Sequence, residues 1–312
     1  MNEISNNEYY FEKIGCEWLI YKKLSIKKSS YVKYENLFLS YILPYYKDCK
    51  LKEIDDVSIS IFLTEKMENL SLSTIKTLYY IIQAILNYGN KKYNITINSY
   101  KVHLPKNKRK TNVLTHEEQL LIEEKAMLKN KEVSHAIFLG LYAGLRIGKI
   151  CALKWTDVDF KNRLLYVHHT VQRLKNETGT PKTALITGST KSFESTRYVP
   201  ISKPLANYLL KIRINSTNQL VISNSECIDP RKIQYQFGKL LQECNLKNIH
   251  FHMLRHTFAT NCIKMGMDIK SISEILGHSS VNITLDLYVH SSIEFKKQQM
   301  AKWDKFEIEK IT

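Results

Sequence analysis

Apolar residues recur at helical spacing from Glu8 to Tyr93, a period that predicts an all-helical N-terminal half. Ile42-Leu43-Pro44 interrupts the first long run, because proline lacks the amide hydrogen that a helix interior uses. Two more runs follow, Ser58 to Asn69 and Ser73 to Tyr88. The second sets Ile75, Leu78, Tyr79, Ile82, Ile85 and Leu86 at helical spacing, with Ser73 as its expected cap. Lys101 to Asn112 has no apolar period and carries Lys101, Lys106, Lys108, Arg109 and Lys110 beside Pro105, so it reads as a connector. Thr115-His116-Glu117-Glu118 fits a capping box, in which the hydroxyl and a carboxylate satisfy orphan amides, and opens a second domain. The expected division is residues 1–105, a basic linker at 106–113, and residues 114–312.

In the second domain Val133 to Tyr142 predicts an apolar helix ended by Gly144, with Arg146 at the break or at the start of the next helix. Leu164 to Val171, Ala184 to Thr187 and Arg197 to Ile201 are rich in β-branched and aromatic residues and predict strands. Pro204 to Ile214 returns to helix, and helices dominate from Pro230 onward. Ile269 to Leu276 predicts a helix stopped at Gly277. His278 then falls in a turn, and Ser279 or Ser280 caps a last helix bearing Tyr288. No internal repeat is visible. The expected fold class is mainly α with a small antiparallel β-sheet: a helical N-terminal domain plus a mixed α/β domain.

Composition narrows the partners. The chain has 312 residues, 44% of them hydrophobic, enough for two domains with cores of their own. A net charge of +16 points to a polyanion, and nucleic acid is the usual one, although a biased genome composition yields the same excess. Cys16, Cys49, Cys151, Cys227, Cys244 and Cys262 form no Cys-x-x-Cys pair and no zinc spacing. Several sit in apolar surroundings and read as reduced core thiols, which fits a cytoplasmic protein. Met1 to Tyr10 is polar and acidic, unlike a signal peptide, and no apolar stretch has the length to span a bilayer. The expectation is no metal, no cofactor and no membrane.

The candidate chemistry lies in the second half. His252 and Arg255 are three apart on a helical segment and share a face, while His256 points elsewhere. Arg146 follows Gly144, whose lack of a side chain lets backbone approach a ligand. Lys191 lies in a turn between the Ala184 and Arg197 strands. Tyr288 is the sole tyrosine after Tyr235. Each alone has a bland reading, as a solvated charge, a turn histidine or a core tyrosine. Their order and spacing together are specific.

The ordered set resembles the tyrosine recombinase (phage integrase) family over nearly the whole chain, most specifically from Phe251 to His290. The resemblance implies that Arg146, Lys191, His252, Arg255, His278 and Tyr288 take the catalytic positions, with Tyr288 as nucleophile. It implies that the N-terminal domain is a core-binding domain, without the arm-binding domain of lambda-type integrases before it. Two positions depart from the family. Lys149 stands where an acidic residue usually orients the first arginine, and Met253 replaces a common Asp. At helical spacing Lys149 either neighbours and repels Arg146 or points away to a DNA phosphate.

The implied mechanism uses neighbouring cations to favour the Tyr288 phenolate, whose solution pKa is near 10. Arg146 and Arg255 would fork onto non-bridging phosphate oxygens and stabilise the pentacoordinate transition state. Lys191 would protonate the leaving 5′ oxygen, His252 would assist proton transfer from Tyr288, and His278 would hydrogen-bond the phosphate. A 3′-phosphotyrosyl intermediate results, which a second strand's 5′-hydroxyl reseals. The family works as a homo-tetramer on double-stranded DNA with specific recombination sites. Accessory DNA-bending or directionality factors are possible partners. After Tyr288, Ile293, Phe295, Met300, Trp303 and Phe306 would dock on a neighbouring subunit or on their own domain. The expected function is site-specific recombination that integrates and excises a mobile element. Xer-type chromosome-dimer resolution, a type IB topoisomerase and a catalytically silent DNA-binding relative are the alternatives.

Overall fold

The computed structural model describes residues 9–95, 102–105, 112–129, 131–176, 180–181, 183–189, 196–214, 219–223, 226–288, 297 and 300–301. The chain forms two compact units, Met1–Arg109 and Lys110–Thr312.

The first unit is helical, as its period predicts. Helix α1 (Phe11–Ser25) buries Phe11, Ile14, Trp18 and Leu19, and α5 (Leu72–Tyr93) buries Ile75, Leu78, Ile81, Ile82, Ile85 and Leu86. These stripes at 3–4 residue spacing meet in one core with Phe38, Ile42 and Tyr46. Between them lie α2 (Lys28–Leu37), α3 (Leu43–Tyr46) and α4 (Asp56–Met67). The predicted break at Pro44 is not a break. Residues Phe38–Ile42 form a π turn, closed by a Leu43 amide that donates to the Phe38 carbonyl, and the path then continues into α3 with Pro44 in its first turn. Proline cannot donate, and a widened turn just before it accommodates the missing bond. The cap of α5 is Ser71 rather than Ser73. Its hydroxyl accepts from the Thr74 amide at 3.3 Å, because Leu72 and Ser73 already belong to the helix.

In the second unit, α6 (His116–Lys129) starts with the predicted capping box. The Thr115 amide donates to Glu118 Oε2 at 2.8 Å, and the Glu118 amide donates to Thr115 Oγ1 at 3.2 Å. Helix α7 (Glu132–Ala143) is buried nearly all round and forms the centre of the core. It is followed by the single turn α8 (Ile147–Ile150). Strands β1 (Val158–Asp159), β2 (Leu164–Val167) and β5 (Arg197–Pro200) form an antiparallel sheet in the order β1-β2-β5. Strands β3 (His169–Lys175) and β4 (Thr183–Ser189) pair separately, from His169 opposite Ser189 to Lys175 opposite Thr183. The predicted strand from Leu164 to Val171 is therefore divided at His168 between two sheets. Its residue types suit strand on both sides of that point, so the pattern does not register the change of partner. The strands that flank Lys191 likewise belong to different sheets and do not pair with each other. Helices α9 (Lys203–Ile214), α10 (Pro230–Glu243), α11 (Phe251–Lys264), α12 (Ile269–Leu276) and α13 (Val281–Tyr288) complete the unit. Among the described residues no helix is long and apolar enough to cross a membrane.

Candidate active site

Gly144 ends α7 with φ +62°, the left-handed region that glycine enters without steric cost. A Cβ there would lie 2.5 Å from Phe258 and 2.8 Å from Leu276. The glycine thus serves packing against α11 and α12 rather than leaving room for a ligand. Two residues on, Arg146 holds extended backbone as the N-cap of α8. The turn aims its guanidinium at the C-terminal end of α12, where Nη1 donates to the Gly277 carbonyl at 3.4 Å.

Arg255 reaches the same place from α11. Only 2% of it is exposed. Its Nη1 donates to the Gly144 carbonyl at 2.6 Å and its Nη2 to the Leu276 carbonyl at 2.8 Å. Arg197 on β5 adds a third guanidinium, Nε donating to the Ile275 carbonyl at 2.5 Å. Three consecutive carbonyls, Ile275, Leu276 and Gly277, therefore each accept from a different arginine. The last carbonyls of a helix have no intrahelical donor and carry the negative end of its dipole. The end of α12 thus gathers like charges that would otherwise repel. Desolvation first, and then the neighbouring guanidiniums, pull Arg255 and Arg197 below the ordinary arginine range.

Three histidines surround this cluster. His278 follows Gly277, its amide donates to the Ser273 carbonyl at 3.1 Å, and its Nδ1 lies 2.9 Å from Oγ1 of the fully buried Thr284. Burial, then Arg255 and Arg146, push it down to about 3. His252 and His256 meet edge to face on α11 with ring centroids 4.5 Å apart. His256 therefore does not point elsewhere: an i,i+4 pair shares a helix face, and desolvation followed by Arg255 and Arg146 lowers it as well. His252 is exposed, yet desolvation of its ring, then His256 and the two arginines, hold it below the usual imidazole range. Each shift favours the neutral imidazole in the empty site, a form with one N–H donor and one acceptor nitrogen. Met253, in place of the family's Asp, turns its sulfur to accept from the His250 amide at 3.5 Å, a contact at the start of the helix.

Lys149 lies one helical turn after Arg146 and is 5% exposed. Its burial and its interaction with Arg146 fit the orientation that neighbours that arginine. Desolvation, then Arg197, Arg146 and Arg255, push it down to about 7. Gly148 beside it lets β3 approach, since a Cβ there would lie 2.7 Å from the Val171 carbonyl.

Of the six predicted residues, four converge: Arg146, His252, Arg255 and His278. Lys191 lies outside the described residues. Tyr288 ends α13, the helix that follows the His278 turn, and its side chain also lies outside them, as do most of the Lys101 to Asn112 connector and of the tail after Tyr288. Arg197 and Thr284 were not predicted. Arg197 reads in the sequence as the first residue of a strand, and Thr284 has no sequence signal. Among the described residues no cluster of three or more His, Cys, Asp or Glu side chains is placed to hold a metal ion.

The family model "Phage integrase family" matches residues 112–294, and "Phage integrase, N-terminal SAM-like domain" matches residues 10–67. The chain belongs to the phage integrase family. It is a tyrosine site-specific recombinase. It is 27% identical over 302 residues to a "Tyrosine recombinase XerC-like" protein of Caldanaerobacter subterraneus subsp. tengcongensis, covering 86% of this chain and 75% of that one. Its fold is similar to that of the Tn1549 transposon integrase in complex with transposon right end DNA, with a TM-score of 0.81, 19% identity, and coverage of 95% and 99% of the two chains. It is also similar to a lambda integrase tetramer bound to a Holliday junction, with a TM-score of 0.68, 19% identity, and coverage of 91% and 78%. In this tyrosine recombinase the N-terminal SAM-like match falls in the helical unit, and the phage integrase match takes in the arginine cluster.

Proposed function

We propose that this recombinase integrates and excises a mobile element by cutting DNA with Tyr288, through a 3′-phosphotyrosyl intermediate. The observation that carries the reading is the meeting of Arg146 and Arg255 at the end of α12, with His252, His256 and His278 close enough to feel both arginines. Two fixed guanidiniums suit the non-bridging oxygens of a phosphodiester and the charge that grows on them in the pentacoordinate transition state. Their anchors leave donor groups free on each guanidinium plane, and those groups are already oriented when the phosphate arrives. His278, held by Thr284, donates to the phosphate, and His252 relays the Tyr288 proton. Lys191 protonates the leaving 5′ oxygen. The phosphotyrosyl bond conserves the phosphodiester energy, so a second strand's 5′-hydroxyl reseals it.

In this reading the DNA-binding regions are residues 1–105 and the basic linker at 106–113. The net charge of +16 makes binding steeply salt-dependent. The protein acts in the cytoplasm as a homo-tetramer on two recombination sites, like the lambda integrase tetramer on its junction. The XerC-like relative supports a second reading, the resolution of chromosome dimers.

The test is a nicked duplex spanning the joined ends of the element that carries the gene. The proposal predicts a covalent protein–DNA adduct that forms in EDTA, followed by exchange with a target duplex. Adduct formation on the replication-terminus region of the host chromosome, and not on the element ends, would move the function to dimer resolution. No adduct on either would overturn the nucleolytic reading.

A further inference from the structure

The last turn of α12 divides its carbonyls between two kinds of donor. The Gly277 amide donates to the Glu274 carbonyl at 3.0 Å and the His278 amide to the Ser273 carbonyl at 3.1 Å, which closes the helix with its own backbone. The carbonyls of Ile275, Leu276 and Gly277 lie past the reach of the helix's own amides. They accept instead from Arg197, Arg255 and Arg146, in that order. His278 is the next residue. Two of these arginines come from one turn of backbone, since Arg255 also donates to the Gly144 carbonyl two residues ahead of Arg146. Arg197 has a separate origin. It opens β5, opposite Val167 of β2, and α12 packs on that strand. Alternation along β5 turns half-buried Arg197 and buried Val199 inward, and exposed Tyr198 and Pro200 outward. Its bond to Ile275 is 2.5 Å long, against 3.4 Å for Arg146 to Gly277.

We infer that Arg197 is a positioning residue: it ties the end of α12 to β5, so that His278 keeps its place while Arg146 and Arg255 engage the phosphate. The inference rests on the phosphodiester reading of this site proposed above. A guanidinium is rigid and planar, so turning its donors onto an arriving anion changes the aim of the donors that hold a carbonyl. Arg146 and Arg255 both meet that pull. With those two ties alone, the end of α12 would follow the guanidiniums, and His278 would move with it. A tie from β5 takes no part in the exchange. On its other side the His278 ring is held by Thr284 Oγ1 at 2.9 Å. The histidine thus has two fixed points, its backbone through Arg197 and its ring through Thr284. A displacement of about 1 Å at a reacting group costs on the order of a hundredfold in rate. Arg197 therefore acts on the rate of cleavage and leaves DNA affinity nearly untouched.

The experiment uses the full chain on the nicked duplex, with single-turnover adduct formation at saturating protein and DNA affinity measured apart. Arg197→Met should bind DNA within about twofold of wild type and cleave about 10–100-fold more slowly. Arg197→Lys, which keeps one donor for Ile275, should recover to within about threefold of wild type. The same Arg197→Met change is then made beside His278→Ala. If Arg197 acts through His278, it should cost no more than about twofold there, because two residues that serve one contact do not add. Equal losses in both backgrounds would overturn the inference, as would a large loss of affinity, an Arg197→Lys as slow as Arg197→Met, or unaltered cleavage by Arg197→Met. A lowered melting temperature with unaltered cleavage would leave Arg197 as a support of the fold alone. Should Arg197→Met not fold, nitrogen NMR of the wild type decides. The Arg197 Nε–H, assigned by its loss in Arg197→Lys, must stay protected from solvent exchange both without DNA and with it. Loss of that protection on DNA would show that Arg197 leaves Ile275, and would overturn the tie. Wild-type protein that forms the adduct while these variants behave otherwise contradicts only the role of Arg197. Wild-type protein that forms none contradicts the recombinase chemistry and the role of Arg197 with it.

Discussion

Arg255 donates 2.6 Å to the carbonyl of Gly144, two residues ahead of Arg146, so the two arginines are set by one turn of backbone. The link gives Arg255 a structural role beside its proposed one on the phosphate. Arg255→Lys keeps a charge but cannot reach Gly144 and Leu276 together. One buried carbonyl loses its donor, at a cost of about 1–3 kcal/mol. The protein should still fold, with a lower melting temperature by circular dichroism. Single-turnover cleavage at saturating DNA should fall by roughly 10²–10³-fold, as expected for loss of a fixed transition-state donor. Near-normal cleavage would show that Arg255 serves the fold alone.

Gly144→Ala tests the turn itself. The left-handed angle costs an L-residue about 1–2 kcal/mol, and the overlap with Phe258 and Leu276 adds about 1–3 kcal/mol. The urea midpoint should drop clearly. Gly238→Ala provides the contrast: it lies inside α10, and a Cβ there meets nothing within 4 Å. That change should raise stability by about 0.5–1 kcal/mol. Equal effects at the two sites would contradict the packing role given to Gly144.

The Thr284 hydroxyl fixes the ring of His278 from the buried side. Thr284→Val preserves shape and removes the hydrogen bond. DNA affinity should stay within about twofold, while cleavage falls by up to about a hundredfold, the scale of a small misplacement of a reacting group. Proton NMR of the His278 ring checks the cause, because its tautomer or exchange should change in the variant. An unaltered ring with unaltered cleavage would leave Thr284 as core packing.

Much of this site was legible in the sequence because its parts are local. The capping box at Thr115, the glycine stops at Gly144 and Gly277, and the three-residue spacing of His252 and Arg255 are short-range features. What the sequence did not disclose depends on the chain returning to itself. The carbonyls at the end of α12 belong to no side chain, so nothing in the residue types announces that Arg197, Arg255 and Arg146 bind there in series. His256 joins His252 because residues four apart share a helix face, a relation that the i,i+3 pairing of His252 with Arg255 does not display. The split of the Leu164 to Val171 strand between two sheets leaves no mark in its residue types. Spacing allows Lys149 either to neighbour Arg146 or to point away to DNA, and nothing in it tells that the side chain is buried.

Lys149→Glu should make the empty protein more stable, because a carboxylate would pair with guanidiniums where an amine is repelled. Each ~1 kcal/mol gained raises the melting temperature by about 2–4 °C in a unit of this size. The gain should be largest near pH 6, where Lys149 is charged, and should shrink as the pH rises above 7 and the lysine gives up its proton. Differential scanning calorimetry of both proteins from pH 6 to pH 9 provides the check. A variant less stable than the wild type at pH 6 would mean that the environment of Lys149 is not cationic.

The central claim is that the nucleophile is Tyr288, presented by the helix that follows the His278 turn. Wild-type protein is trapped on the nicked duplex, the adduct is digested with protease and nuclease, and the modified peptide is sequenced by mass spectrometry. The account predicts a nucleotide joined through its 3′ phosphate to Tyr288, and no adduct from Tyr288→Phe despite DNA binding close to wild type. A nucleotide on any other residue, or an adduct that persists in Tyr288→Phe, would contradict it.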